Sequence, residues 1–267
     1  MRFLPRLGNS VFELLPYENP LLYRFCRKVF HRVNGDNNDD IRTNGESVLM
    51  RRILPRASVV FDAGANVGDW TAEALAINAA AQYHLFEPSP TTFAHLQRRA
   101  FPANVRLNNI GLGADEGEMD LFIFGDGLGT NSLYDRRGTD AVERRRERVR
   151  ITTLDAYCAG HGIERIDFLK IDVEGHEIQV LRGAAGLFRA RRIRIVQFEY
   201  GGTYIDARGL LKDVWELIAE LDPQRTFFKL HPDGPRPVAA YRQELETFQY
   251  SNWVIAANDE IEGSRSR

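Results

Sequence analysis

Four ionisable residues crowd the end of one short apolar stretch, Asp167-Phe168-Leu169-Lys170-Ile171-Asp172-Val173-Glu174-Gly175-His176-Glu177. At a strand's period of two, Lys170, Asp172 and Glu174 share one face, and Leu169, Ile171 and Val173 share the other. A lysine inside a central strand is costly unless paired, so Lys170 is expected to bond neighbouring acids. Such pairing alone accounts for Lys170 and one acid, but not for His176, which follows Gly175 at the start of the next helix. There the helix dipole favours the neutral imidazole, whereas Asp172, Glu174 and Glu177 favour the charged one. Glu199, ending a later strand, adds an acid to the same edge. Asp172, Glu174 and Glu199 together could gather a divalent cation, but carboxylates at strand ends are common in cofactor and substrate sites generally, so no metal is expected.

A second constellation precedes it. Phe61-Asp62-Ala63-Gly64-Ala65-Asn66-Val67-Gly68 reads as a buried strand that breaks into a glycine turn and then a helix. Gly64 permits a sharp turn or a close backbone approach, and Gly68 permits tight packing of the helix on its strand. About 20 residues on, Glu87 ends the next strand before Pro88, at the spacing that sets a carboxylate against ribose hydroxyls. The turn lacks the middle glycine of the dinucleotide fingerprint, carrying Asn66 instead, and Asp62 is an acid that a pyrophosphate would disfavour. S-adenosyl-L-methionine, with a positive sulfur and an ammonium group, suits Asp62, Gly64, Asn66, Gly68, Glu87 and Asp172 better.

These residues need a scaffold that brings strand ends to one edge. Strands and helices alternate from residue 46 onward, which argues for an α/β sheet with a mostly parallel core. The pattern predicts a helix over 46–54 and one over 68–81, then a strand over 82–87. A helix is predicted from about 90, a strand over 104–112, and a strand pair near 118–124 and 148–153. Further on come a helix from Asp155, a strand over 166–172, a helix over 175–189 and a strand over 193–199. The chain closes with a helix over 210–221 and strands near 226–230 and 250–257. Residues 125–138 form a glycine-rich connection of the kind that often serves as a lid.

With 267 residues, 43% of them apolar, the chain can bury a sizeable core. A net charge of -2 gives no global pull toward nucleic acid, and the run Arg144-Arg145-Arg146 with Arg148 reads as a solvated face. Two distant cysteines, Cys26 and Cys158, indicate neither a zinc site nor a disulfide framework, and no apolar run approaches the roughly 20 residues that span a bilayer. A soluble, cytoplasmic protein is expected. Residues 1–45 form a helical appendage, 46–258 the main domain and 259–267 a flexible tail. In the appendage Leu22, Phe25, Val29 and Phe30 fall at helical spacing opposite Arg24, Arg27 and Lys28. A helix that caps the core or pairs subunits as a homo-oligomer is expected there, in preference to membrane-surface attachment.

The set Phe61–Gly68, Phe86-Glu87-Pro88, Thr153-Leu154-Asp155, Ile166–Glu177 and Val180-Leu181-Arg182-Gly183-Ala184 resembles the FkbM family of S-adenosylmethionine-dependent methyltransferases over residues 43 to 257. The resemblance implies a Rossmann-like class I methyltransferase fold, a mostly parallel seven-stranded sheet with a reversed last strand and helices on both faces. It also implies O-methylation of a hydroxyl on a sugar, glycan or small natural product. An aliphatic hydroxyl needs a base as the new bond forms. His176 is expected in that role, with Asp172 or Glu174 orienting it and Lys170 organising the acids. The competing readings are an NAD-dependent oxidoreductase, disfavoured by Asp62 and Asn66, and a non-catalytic scaffold that keeps a cofactor fold. A nucleic-acid methyltransferase would show a broader basic surface.

Overall fold

The computed structural model describes residues 18–124, 131–135 and 145–262. The chain divides into two compact units, residues 1–36 and 37–267.

The first unit contains helix α1 (Pro20–Asn34). Local sequence sets both of its ends. The Asn19 side chain accepts from the backbone N–H groups of Leu21 and Leu22, Pro20 occupies the first turn, and Gly35 closes the helix at φ 70°. No residue of α1 is buried. Residues 1–17 of the expected appendage lie outside the described residues. Residues 37–45, also assigned to the appendage from sequence, fall in the second unit, where Asn37 bonds the Tyr250 backbone in both directions.

The second unit begins with α2 (Glu46–Ile53) and is built on β1 (Val59–Ala63), whose Val60, Phe61, Asp62 and Ala63 are all buried. In chain order there follow α3 (Asp69–Ile77), β2 (Gln82–Phe86), α4 (Pro90–Arg98), β3 (Val105–Asn108), β4 (Gly111–Leu112), β5 (Gly117–Ile123) and β6 (Arg145–Thr152). Next come α5 (Leu154–His161), β7 (Ile166–Ile171), α6 (Glu177–Arg182), α7 (Ala185–Arg189) and β8 (Ile193–Tyr200). The last elements are α8 (Thr203–Ala207), α9 (Leu211–Leu221), β9 (Thr226–His231), β10 (Gly234–Val238), β11 (Ser251–Ala256) and α10 (Asn258–Glu262).

The main sheet runs β10-β9-β11-β8-β7-β1-β2-β3. Strand β1 pairs in parallel with β2 on one side and β7 on the other, and β11 lies antiparallel between β8 and β9. Strand order therefore reverses at β1, which opens a crevice at the exits of β1, β2 and β7. Two apolar layers cover the faces. One gathers Leu49, Trp70 and Phe168 under α2 and α3, and the other gathers Leu154, Leu181 and Val214 under α5, α6 and α9. Beside this sheet, β4, β6 and β5 form a second one of three strands.

Four details depart from expectation. The main sheet has eight strands because Gly234–Val238 adds an edge strand that carries Pro235 and Pro237, residues that read as breakers but are tolerated where one side of the ladder is open. The strand expected over 104–112 divides at Asn109, whose side-chain amide donates to the carbonyls of Glu87 and Pro88 and turns the chain into the second sheet. The helix expected over 175–189 breaks at Gly183, which passes so close to Gly113 that a Cβ would lie 2.0 Å from the Gly113 carbonyl oxygen. Residues 258–262, expected within or beside a flexible tail, form α10, with Ile261 buried; residues 263–267 lie outside the described set.

Candidate active site

The glycine turn after β1 is fixed by backbone contacts on two sides. Gly64 has φ 82°, and a Cβ there would lie 1.7 Å from the carbonyl oxygen of Asp172, so only glycine lets the turn pass this close to the exit of β7. The N–H groups of Gly64 and Ala65 both donate to the Phe86 carbonyl at 3.0 Å. Asn66 sits in the left-handed region at φ 47°, and Gly68 starts α3 at φ 83°.

Glu87 joins this turn to the loop after β2. Its carboxylate accepts from the N–H of Asn66 at 3.0 Å and from the N–H of Ser89 at 2.9 Å. Burial pushes its pKa up to about 7, against the pull of those two N–H donors. The side-chain oxygen of Asn66 is buried without a partner. Gly64, Asn66, Phe86, Glu87 and Asp172 line a narrow cavity of about 60 Å³, roofed by Leu121, Asn131 and Leu133. Asp62 and Gly68 do not line it. Asp62 is buried on the α3 side, where one oxygen accepts from the Thr71 hydroxyl at 2.6 Å and the other has no partner. Burial raises its pKa, and Lys170 works in the opposite direction.

At the exit of β7, Lys170 is buried and its Nζ lies 2.7 Å from Asp172 Oδ2. Burial opposes its charge, yet Asp172, Asp62 and Glu46 outweigh that and hold its pKa above the ordinary lysine value. Asp172, Glu174 and Glu199 each bring a carboxylate oxygen within 4.8 Å of the others, a donor set of the kind hard divalent cations take. Burial, followed by the charges of Asp172, Glu174 and Glu177, lifts the pKa of Glu199 well above the ordinary value. Glu174 has φ 53°, a backbone conformation a non-glycine residue adopts only when its surroundings impose it. The imposing group is Glu177. This buried carboxylate accepts from the N–H of Val173 at 3.1 Å and of Gly175 at 3.2 Å, so it ties the loop on either side of Glu174.

His176 faces elsewhere. It is buried, its Nδ1 lies 3.0 Å from the Tyr134 hydroxyl, and burial pushes its pKa down to about 4. With Asp115, Glu116, Tyr134 and Gln179 it lines a separate cavity of about 390 Å³. The structure brings Lys170, Asp172 and Glu174 together at one strand end and places Asp172 and Glu174 against the glycine turn. It gives His176 a tyrosine as its hydrogen-bond partner.

A third cavity, of about 550 Å³, opens on the α3 side of the strand ends and is lined by Arg42, Asp69, Trp70, Lys170, Asp172 and Tyr250, among others. Among the described residues, Asp172 is the one that borders both this space and the narrow cavity. A carboxylate at such a junction can take a proton from a group in the large cavity while an electrophile occupies the small one.

Three contributors escaped the sequence reading. Glu177 was seen only as one more charge, although an acid two residues after a glycine at a helix start is positioned to cap the preceding loop. Thr71 and Ser132 carry no motif. Ser132 donates to the Glu174 carbonyl at 2.7 Å and exchanges backbone hydrogen bonds with Phe122, which fastens the roof to the β7 loop.

The model of the Methyltransferase FkbM domain matches residues 62–225. The chain is 26% identical to the hexuronic acid methyltransferase AglP of Haloferax volcanii, over 71% of this chain and 74% of that protein. It is 26% identical to the 31-O-demethyl-FK506 methyltransferase FkbM of Streptomyces tacrolimicus, over 70% of this chain and 83% of that one. To the 2-O-methyltransferase NoeI of Sinorhizobium fredii it is 27% identical, over 53% of this chain and 63% of the relative.

Proposed function

From the premise that this chain belongs to the FkbM family of methyltransferases, we propose that it moves a methyl group from S-adenosyl-L-methionine to a hydroxyl of a sugar, glycan or small natural product. The observation that carries this reading is the position of Asp172, bordering both the narrow cavity beside the glycine turn and the 550 Å³ cavity beyond it.

The residues present fit a nucleoside cofactor. The unpartnered Asn66 oxygen and the Glu87 carboxylate offer acceptors for ribose hydroxyls, and the absence of a Cβ at Gly64 leaves the backbone free to approach. The buried Asp62 oxygen without a partner adds negative character behind the turn, favourable to a sulfonium and an ammonium group. When bound, the cofactor supplies a methyl carbon activated by its positive sulfur.

The chain's own task is then to align the acceptor and remove its proton. Asp172 is the base in this reading. Its ion pair with Lys170 orients the carboxylate, which also shares a side-chain hydrogen bond with Glu199. His176 is assigned no proton transfer, because its hydrogen-bond partner is Tyr134 and it lines a different cavity. The acceptor class follows from the large cavity. Trp70 and Tyr250 offer faces to a sugar ring, and Arg42 and the acids around it offer donors and acceptors to a polyhydroxylated ligand. The names of the relatives, one acting on a hexuronic acid and another a 2-O-methyltransferase, are consistent with that chemistry.

The test uses S-adenosylhomocysteine calorimetry together with methyl transfer to a panel of glycosides, uronic acids and hydroxylated small molecules. Asp172→Asn is expected to bind the product cofactor within about threefold of the wild type and to lose about a hundredfold or more in turnover. Full turnover by that variant would remove Asp172 from the base role. No heat with S-adenosylhomocysteine in the wild type would remove the cofactor assignment.

A further inference from the structure

Helix α1 carries an apolar surface of which no residue is buried. At about 100° per residue, Leu22, Phe25, Cys26, Val29, Phe30 and Val33 fill one continuous arc, while Arg24, Arg27 and Lys28 cluster on the opposite side and Arg32 lies at the margin. No Asp or Glu occurs between Pro20 and Asn34. The arc is open, with Phe25 65% and Val33 68% exposed. Arg27 lies 5.6 Å from the centroid of the Tyr23 ring, at the boundary between the two faces.

A helix of 15 residues is marginal in water on propensity alone and draws its stability from burying an amphipathic face. The capping by Asn19 and Gly35 sets where it starts and stops, but the apolar arc still requires a covering phase. The charge pattern selects that phase. Two copies meeting arc to arc would bury the apolar residues but leave the cations on the outer faces, with no helix acid to answer them. An anionic lipid interface takes the apolar arc into its acyl boundary and surrounds the cations with headgroup phosphates.

We propose that α1 is an interfacial helix that docks this protein on an anionic bilayer surface. Phe25, Val29 and their neighbours enter the acyl boundary, and Arg24, Arg27 and Lys28 extend toward lipid headgroups. The occupant is the anionic lipid surface itself. The proposal concerns α1 alone and stands apart from the assignment of the catalytic site.

The full-length protein is sedimented with vesicles of phosphatidylcholine and phosphatidylglycerol in about equal parts, and with phosphatidylcholine vesicles. Binding is expected to the anionic vesicles and to fall as salt rises. Each cation near such a surface contributes about fivefold to partition, so Arg24→Gln/Arg27→Gln/Lys28→Gln should bind about a hundredfold more weakly. Cys26 provides a local reporter, since its thiol is exposed whereas that of Cys158 is buried. A polarity-sensitive dye on Cys26 should shift to the blue with anionic vesicles, and Phe25→Ser/Val29→Ser should abolish that shift. Melting temperature and S-adenosylhomocysteine binding of both variants should match the wild type, which shows that the second unit is intact. Equal binding to both vesicle types, or none, overturns the proposal. A dimer in lipid-free light scattering with the dye already in an apolar setting assigns the arc to a second copy instead. An equal dye shift with heparin shows that any polyanion suffices, and also overturns it.

Discussion

Glu87 serves two partners with one carboxylate. It holds the backbone of the glycine turn and that of Ser89, while bordering the space read as the cofactor's. Glu87→Ala removes acceptors from two N–H groups at once, and hydrogen bonds to a charged group are each worth roughly 1.5–3 kcal/mol. Calorimetry should therefore show S-adenosylhomocysteine affinity reduced at least about tenfold. Because burial raises the Glu87 pKa to about 7, the carboxylate becomes a stronger acceptor as pH rises through that value. Wild-type affinity should improve over that interval, and Glu87→Gln should flatten the dependence. His176 contrasts with it. Pushed down to about 4, it is neutral through the neutral range, so His176→Asn should leave the pH profile of kcat/KM unchanged there. The sequence identified both residues as standing near the crevice, because strand ends and glycine turns are local patterns. Which cavity a side chain enters depends on the packing of Gly113 and Tyr134, which are distant in sequence, so the partner of His176 was beyond reach.

At the scale of elements, the loop between β7 and α6 depends on Glu177. Its folded pKa, about 7, exceeds its ordinary value of 4.5 because burial disfavours the charge. The linked stability is fully present below the ordinary value and is lost as pH rises through about 7. Glu177→Gln keeps an oxygen for Val173 and Gly175 and carries no charge. Its melting temperature should fall less steeply than that of the wild type between pH 4.5 and about 7, with Glu87 contributing the remainder; an identical decline in the variant would exonerate Glu177. Most of the parallel core was legible for the reason that Glu177 was not. Val59-Val60-Phe61 and Phe168-Leu169 declare buried strands through composition, whereas a clamp announces itself only through the two N–H groups it meets. The proline-bearing β10 and the break at Gly183 were hidden because their causes are an open sheet edge and a close approach to Gly113, neither of them a local signal.

For the molecule as a whole, the sequence conveyed an α/β sheet and an appendage, and placed their boundary several residues late. Asn37 reads as loop until Tyr250, more than two hundred positions later, is seen to bond it. The three-stranded sheet was foreseen as a strand pair, but its spatial duty was not. It supplies Leu121, which with Asn131 and Leu133 roofs the 60 Å³ cavity whose floor belongs to the main sheet. A ligand seated there would touch both sheets, so its binding free energy is shared between floor and roof and returns as mutual protection. Hydrogen exchange should register this as slower exchange of β5 and β6 amides when S-adenosylhomocysteine is present. Ser132→Ala, which releases the tether to Glu174, should speed the association rate more than it changes dissociation.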